Sequence, residues 1–193
     1  MRHSGTAVIE TERLLLRPFC LEDAEEMFAG WASSKKVTEF LTWPAHADIS
    51  VTRNILAGWC SRYQDPSFYQ WCIVRKKDNA QLGTVSVVSL DEDSGSLEIG
   101  YCIGEAHWHQ GYVSEALNRL LQFFFEQERA DRIEARHDVR NPRSGMVMKR
   151  CGMRYVRTDL QAARNSQGMA DCAYYEISRQ EYEEAHGKLQ GSL

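Results

Sequence analysis

The spacing of hydrophobic positions changes several times along this chain, and each change marks an element. Arg13-Leu14-Leu15-Leu16-Arg17 followed by Pro18-Phe19 predicts a first strand closed by a turn. Glu22 to Ala29 opens with acidic residues, which suit the positive end of a helix dipole. A second helix is predicted over Asp48 to Arg62, with Val51, Ile55, Leu56 and Trp59 on one face. Leu41-Thr42-Trp43-Pro44 between them reads as a loop. Three strand-like runs follow, at residues 69–74, 81–88 and 96–103. Polar turns at Lys77-Asp78-Asn79 and Asp91 to Gly95 divide them, the spacing of an antiparallel meander.

From Tyr112 the period becomes helical: Val113, Ala116, Leu117, Leu120, Leu121, Phe124 and Phe125 recur three and four residues apart. Arg132 to Arg136 predicts another strand, and Pro142 to Arg150 a short helix with Gly152 just beyond it as a cap. Residues 153–157 and 172–177 predict a final strand pair, and Ser178 to His186 a polar helix. Mixed order of this kind predicts an α/β or α+β sheet with helices packed on it. No repeat, low-complexity tract or linker interrupts the 193 residues, so one domain is expected over 1–193, with its core at about 8–180.

Charged residues make up 26% and hydrophobic residues 43%, the balance of a globular chain. A net charge of -4 argues against direct nucleic-acid binding. No apolar run approaches the roughly 20 residues that cross a bilayer, so no membrane association is expected. Met1 to Thr6 has no apolar stretch behind it and is not a signal peptide, so a cytoplasmic protein is expected. The six cysteines form no Cys-x-x-Cys pair and read as free thiols of a reducing compartment. No metal is expected, because His107 and His109 have no further ligands at suitable spacing.

Two stretches carry candidate chemistry. Trp108-His109-Gln110-Gly111-Tyr112-Val113-Ser114-Glu115-Ala116 is a strand-to-helix junction turning at a glycine. It reads either as a plain junction or as an anion site, where free amides at a helix start meet a phosphate. Asn141-Pro142-Arg143-Ser144 leads to Lys149-Arg150-Cys151-Gly152, and Asn141 is placed to cap the helix with its side chain. Between Arg129 and Arg157 nine basic residues stand against three acidic ones, a local attraction for a polyphosphate cofactor.

Together these motifs resemble the GNAT superfamily of N-acetyltransferases, in the branch that acetylates ribosomal-protein alanine N-termini. Thr11 to Pro18 is similar to its opening strand, Glu98-Ile99-Gly100-Tyr101 to its fourth strand, and Trp108 to Ala116 to its pyrophosphate loop. Asn141, Ser144, Lys149 and Gly152 are similar to its later segment. The resemblance implies a GNAT fold: a mixed central sheet splayed between strands four and five, with flanking helices. It implies acetyl-CoA as co-substrate, with no metal, and direct transfer of acetyl to an amine.

In that layout the backbone of Tyr101, Cys102 and Ile103 pairs with the pantetheine arm. Trp108, His109, Gln110, Gly111, Tyr112, Val113 and Ser114 make the pyrophosphate loop. Asn141 bonds the pantetheine and Ser144 sits near the sulfur. The chain departs from the family at Val113, where a small residue is usual, and at Met148, where many relatives have a tyrosine as general acid. Ser144 is then the remaining acid.

Transfer needs a base for the attacking amine. Glu98 is the choice, on the strand face it shares with Gly100 and Cys102; a salt-bridged surface carboxylate is the other reading. His107 and His109 are alternative bases by their ordinary pKa. No cysteine pairs with a histidine as an acyl carrier. The acceptor pocket is expected to use Trp43, Trp71 and Glu98, with His46, Trp59, Phe68 and Tyr69 as further aromatic surface. Glu22, Asp23, Glu25 and Glu26, and Asp91 to Asp93, read either as a solvated surface and a turn or as an attraction for a basic protein tail or polyamine. The acceptor is expected to be a protein N-terminus, such as that of a ribosomal protein. A small amine (antibiotic or polyamine) and a non-catalytic acyl-CoA-binding module are the alternatives. A homodimer is compatible with the family.

Overall fold

A computed structural model describes residues 1–187; the end of the expected domain, 188–193, lies outside the described residues. The strands are β1 (Ile9–Glu10), β2 (Leu14–Pro18), β3 (Gln70–Arg75), β4 (Ala80–Asp91), β5 (Ser96–Ile103), β6 (Arg132–Asp138), β7 (Arg154–Asn165) and β8 (Gly168–Ser178). They form one eight-stranded mixed sheet in the order β1-β2-β3-β4-β5-β6-β8-β7. The helices are α1 (Ala24–Met27), α2 (Ile49–Arg62), α3 (Tyr112–Gln122), α4 (Pro142–Arg150) and α5 (Arg179–His186). The two-residue β1 shifts the count, so the expected strands four and five are β5 and β6.

Alternation along the strands feeds two cores. Leu14 and Leu16 of β2, and Trp71 and Ile73 of β3, face the larger core with α3, Phe123, Phe124, Phe125 and Tyr182. Cys72 and Val74 of β3 face the smaller core, with Phe19, Met27, Trp31, Leu56 and Cys102. β3 is therefore buried on both faces, as a central strand must be.

The helices start where local chemistry lets them. Asp48 accepts the Ser50 amide at 2.8 Å and caps α2. Ser178 and Glu181 form a reciprocal capping box at α5. The first helical region differs from its prediction: it opens as a 3-10 turn at Leu21–Asp23 and continues past α1 as a π turn through Phe28–Ala32. That wider turn carries Trp31 and Ala32 into the smaller core.

The predicted apolar face of α2 is also corrected. Val51 and Ile55 are exposed, while Thr52 and Leu56 are buried. Thr52 goes inside because its hydroxyl pairs with His46 Nδ1 at 2.8 Å. The acidic cluster near α1 contains another correction. Asp23 is buried and does not face an acceptor; it takes hydrogen bonds from Arg17, the Cys20 amide and Gln81.

Candidate active site

β5 and β6 run parallel for three residue pairs only: Ser96 with Arg132, Leu97 with Ile133 and Glu98 with Glu134. Each strand then follows its outer neighbour. β5 stays paired to β4 as far as Ile103–Gly83, and β6 to β8 as far as Asp138–Cys172. A wedge opens between them, and a cavity of about 670 Å³ runs through it. The β6-facing edge of β5 beyond Glu98 has no strand partner, so its backbone groups are available to an extended ligand, apart from the Ile103 carbonyl, which Trp108 occupies.

The junction from β5 to α3 ends this cavity. His109 has φ 62° and Gly111 φ 79°, so the loop is wound left-handed at both. Glycine tolerates that conformation without strain. The Glu115 amide bonds to the Gly111 carbonyl at 3.0 Å and is the first amide of α3 with an acceptor in the chain. Tyr112, Val113 and Ser114 precede it and line the cavity, which persists beside the branched Val113. Arg143 and Arg150 line it too and add positive charge. This is an arrangement suited to a diphosphate.

Trp108 lines the cavity with its ring, but its indole N–H donates to the Ile103 carbonyl at 2.9 Å. Gln110 is a correction to the expected loop set. Its side chain donates to the Ala106 carbonyl at 3.0 Å, its own carbonyl accepts from Arg13, and it is not on the cavity wall.

On the far side of the wedge, α4 begins at Pro142. Asn141 does not cap it with its side chain, contrary to expectation; the Ser144 amide bonds to the Asn141 carbonyl at 3.2 Å instead. Asn141 is on the cavity wall, with its carboxamide uncommitted to the helix cap. Ser144 is bridged to β5 through Tyr101, whose hydroxyl lies 2.9 Å from the Ser144 carbonyl oxygen and 3.0 Å from Oγ. Burial pushes the Tyr101 phenol far above its ordinary value, so it stays protonated and donates. Met148 is packed in the larger core and offers no proton.

Glu98 stands where the strands part, half-buried, with Oε1 3.0 Å from Arg136 Nε. Burial raises its carboxyl above the usual carboxylate range; Arg136 opposes the shift and Glu134 reinforces it. Cys102 is a cavity residue whose thiol packs in the smaller core; burial pushes it up to about 12, so it is neutral near pH 7.

Residues 13–154 match the family model described as an acetyltransferase (GNAT) domain. The chain belongs to the GNAT acetyltransferase family. It is 31% identical over 131 residues to the uncharacterized N-acetyltransferase p20 of Bacillus licheniformis, covering 68% of this chain and 73% of that protein. It is 30% identical over 76 residues to the ribosomal-protein-serine acetyltransferase of Escherichia coli K12, covering 39% and 42%. Among solved structures, the microcin C7 self-immunity acetyltransferase MccE in complex with acetyl-CoA and AMP superposes with a TM-score of 0.80. That match has 22% identity and covers 87% of this chain and 93% of the other, a likeness of fold.

The GNAT fold uses acetyl-CoA, and this chain is an acetyl-CoA-dependent N-acetyltransferase. Another part of the cavity is roofed by residues within 36–43 and by Ala163, Asn165 and Ala170 of the β7–β8 hairpin, and the Ser166 hydroxyl donates to the Glu39 carbonyl at 2.8 Å. Phe40, Leu41 and Trp43 line this part. Trp43 packs edge-on to Trp31 at 6.3 Å.

Trp71 does not face the cavity. It is 0% exposed in the larger core, with its indole N–H bonded to the Ala7 carbonyl at 2.7 Å. Tyr69, Phe68, Trp59 and His46 are likewise off the cavity wall. The structure adds Arg136, Asp138 and Arg140 to the wall, residues that in the sequence stand out only by their charge. Alternation along β6 puts Glu134, Arg136 and Asp138 on the face of Glu98, and that period was the available signal. Among the described residues, no group of three or more His, Cys, Asp or Glu side chains is placed to hold a metal ion.

Proposed function

We propose that this GNAT enzyme acetylates a single α-amine, that of a protein N-terminus, entering under the roof and meeting the thioester beside Glu98. Acetyl-CoA supplies the activated acetyl group. The amides of His109 and of Gly111 to Ser114 hold the pyrophosphate. The free edge at Tyr101, Cys102 and Ile103 pairs with the pantetheine arm, and the Asn141 carboxamide bonds to it. Glu98 takes the proton of the attacking amine, directly or through water. Ser144, held by Tyr101, gives a proton to the departing sulfur.

The observation that carries the acceptor reading is the pairing of charge on the cavity wall. Glu98 is paired with Arg136, and Asp138 with Arg140 at 2.6 Å. A polyamine or aminoglycoside needs surplus carboxylates, and the wall supplies Glu39 alone beyond these pairs. A single amine with an apolar flank fits Glu98 and the Phe40, Leu41 and Trp43 surface. The relative that acts on ribosomal-protein serine supports the same reading. Free buried thiols at Cys72, Cys102, Cys151 and Cys172 support a reducing cytoplasm as the place of work.

The test is a titration with acetyl-CoA by calorimetry, then mass spectrometry of candidate amines. Peptides with free N-termini should gain acetyl and their N-terminally blocked forms should not. Faster acetylation of spermidine or an aminoglycoside would replace this reading with the small-amine one. Tight binding with no transfer to any amine would leave an acyl-CoA-binding module.

A further inference from the structure

Thr11 and Arg13, at the entry to β2, are far from the pyrophosphate loop in sequence and touch it in the fold. The Arg13 amide donates to Glu115 Oε1 at 2.9 Å and its Nε to Oε2 at 2.6 Å. The Thr11 hydroxyl donates to the same carboxylate at 2.5 Å. Arg13 Nη1 donates to the Gln110 carbonyl at 3.1 Å, and the guanidinium lies 4.5 Å from the centre of the Tyr112 ring. Arg13 is behind the loop, not on the cavity wall.

Two physical consequences follow from that position. The first concerns Glu115, a carboxylate in the opening turn of a helix whose amides are needed for an anion. Burial pushes its carboxyl upward, but the Thr11 hydroxyl and the Arg13 amide and guanidinium together hold it below the usual range. It is ionised and matched by a guanidinium, so its charge is screened from a diphosphate. The second concerns the peptide joining Gln110 to Gly111. In a planar trans peptide the C=O and the following N–H point in opposite directions. A Gln110 carbonyl gripped by Arg13 therefore turns the Gly111 N–H away from Arg13, towards the wall that Gly111 lines.

We infer that Arg13 is a positioning residue of the cofactor site: it aims the Gly111 amide and neutralises Glu115, and so sets the affinity for the pyrophosphate of CoA. This rests on the reading that the loop holds the pyrophosphate. The test uses ligands with and without that group, CoA and pantetheine, on the full chain. Arg13→Gln should raise the calorimetric Kd for CoA about tenfold. It should also lower the preference in kcat/KM for acetyl-CoA over S-acetylpantetheine by a similar factor. Arg13→Lys keeps the charge but not the fork, and should fall between the two.

An unchanged Kd for CoA would overturn the inference. So would an equal loss with both donors, because a merely structural defect leaves their ratio where it was. Failure of the underlying reading shows separately, as an unaltered chain that binds CoA no better than pantetheine, and it would remove the inference as well.

Discussion

Glu98, on the last paired rung of β5 and β6, meets Arg136, two residues beyond that rung on β6, at 3.0 Å, one on each side of the wedge. Burial raises the Glu98 carboxyl and Arg136 restrains the rise. The pair therefore sets the pH at which the base becomes available. Glu98→Gln should lower kcat by about 100-fold or more, with acetyl-CoA affinity kept. Arg136→Gln removes the stabilising cation, so the carboxylate forms only at higher pH. The acid limb of the kcat/KM profile should move to higher pH, and activity along that limb should fall. An acid limb that stays in place in Arg136→Gln would remove Glu98 as the titrating base.

Asn141 separates binding from stability. Its side chain makes no cap bond to α4, so little helix stability depends on it. Asn141→Ala should weaken acetyl-CoA binding by about 1 kcal/mol, a single hydrogen bond, and leave the melting temperature close to that of the unaltered chain. Calorimetry and a thermal scan read the two effects. A large drop in melting temperature with unchanged affinity would reverse the assignment.

The two tryptophans expected at the acceptor pocket should behave differently. Trp71→Ala empties part of the larger core and should cost about 3–5 kcal/mol in urea unfolding. Trp43→Ala should raise KM for the amine and leave the Kd for acetyl-CoA alone. Equal amine KM values in Trp43→Ala and the unaltered enzyme would take the acceptor away from the roof.

Asp23 is a structural carboxylate. Burial pushes its pKa up, but Arg17 and the Cys20 amide outweigh that and lower it. A carboxyl lower in the folded than in the unfolded state stabilises the fold above the unfolded value, and that stability is lost as pH falls through the folded one. Asp23→Ala leaves Arg17 unpaired and should cost about 3–5 kcal/mol at pH 7. Urea midpoints of the two proteins should converge as pH drops towards 3. A gap that does not narrow with acid would show that its charge is not what matters.

Much of this was legible because local rules agreed. Ser96 to Ile103 alternates cleanly and is bounded by polar turns, and it forms β5 with those limits. Pro142 and Gly152 bracket α4, and Gly152 takes the positive φ of a cap at 79°. What failed depended on partners distant in sequence. Thr52 is buried because of His46, which the helical period of α2 does not contain. Trp71 is an aromatic residue like Trp43, and only the sheet decides that one faces the core and the other the cavity. The polar second half of β7, through Asn165, has no apolar period and is a strand only by pairing with β8.

The three rungs between β5 and β6 have one more consequence. Among the described residues they are the strand ladder that joins two half-sheets, β1–β5 and β6–β8. A pantetheine arm held in the wedge, as proposed, would bridge those halves as well as present the acetyl group. At a hundredfold excess over Kd, such a bridge adds about 2.7 kcal/mol to the cost of unfolding. Occupancy of the wedge should therefore be readable as protection: the enzyme should be cut more slowly by a protease with acetyl-CoA present than without it.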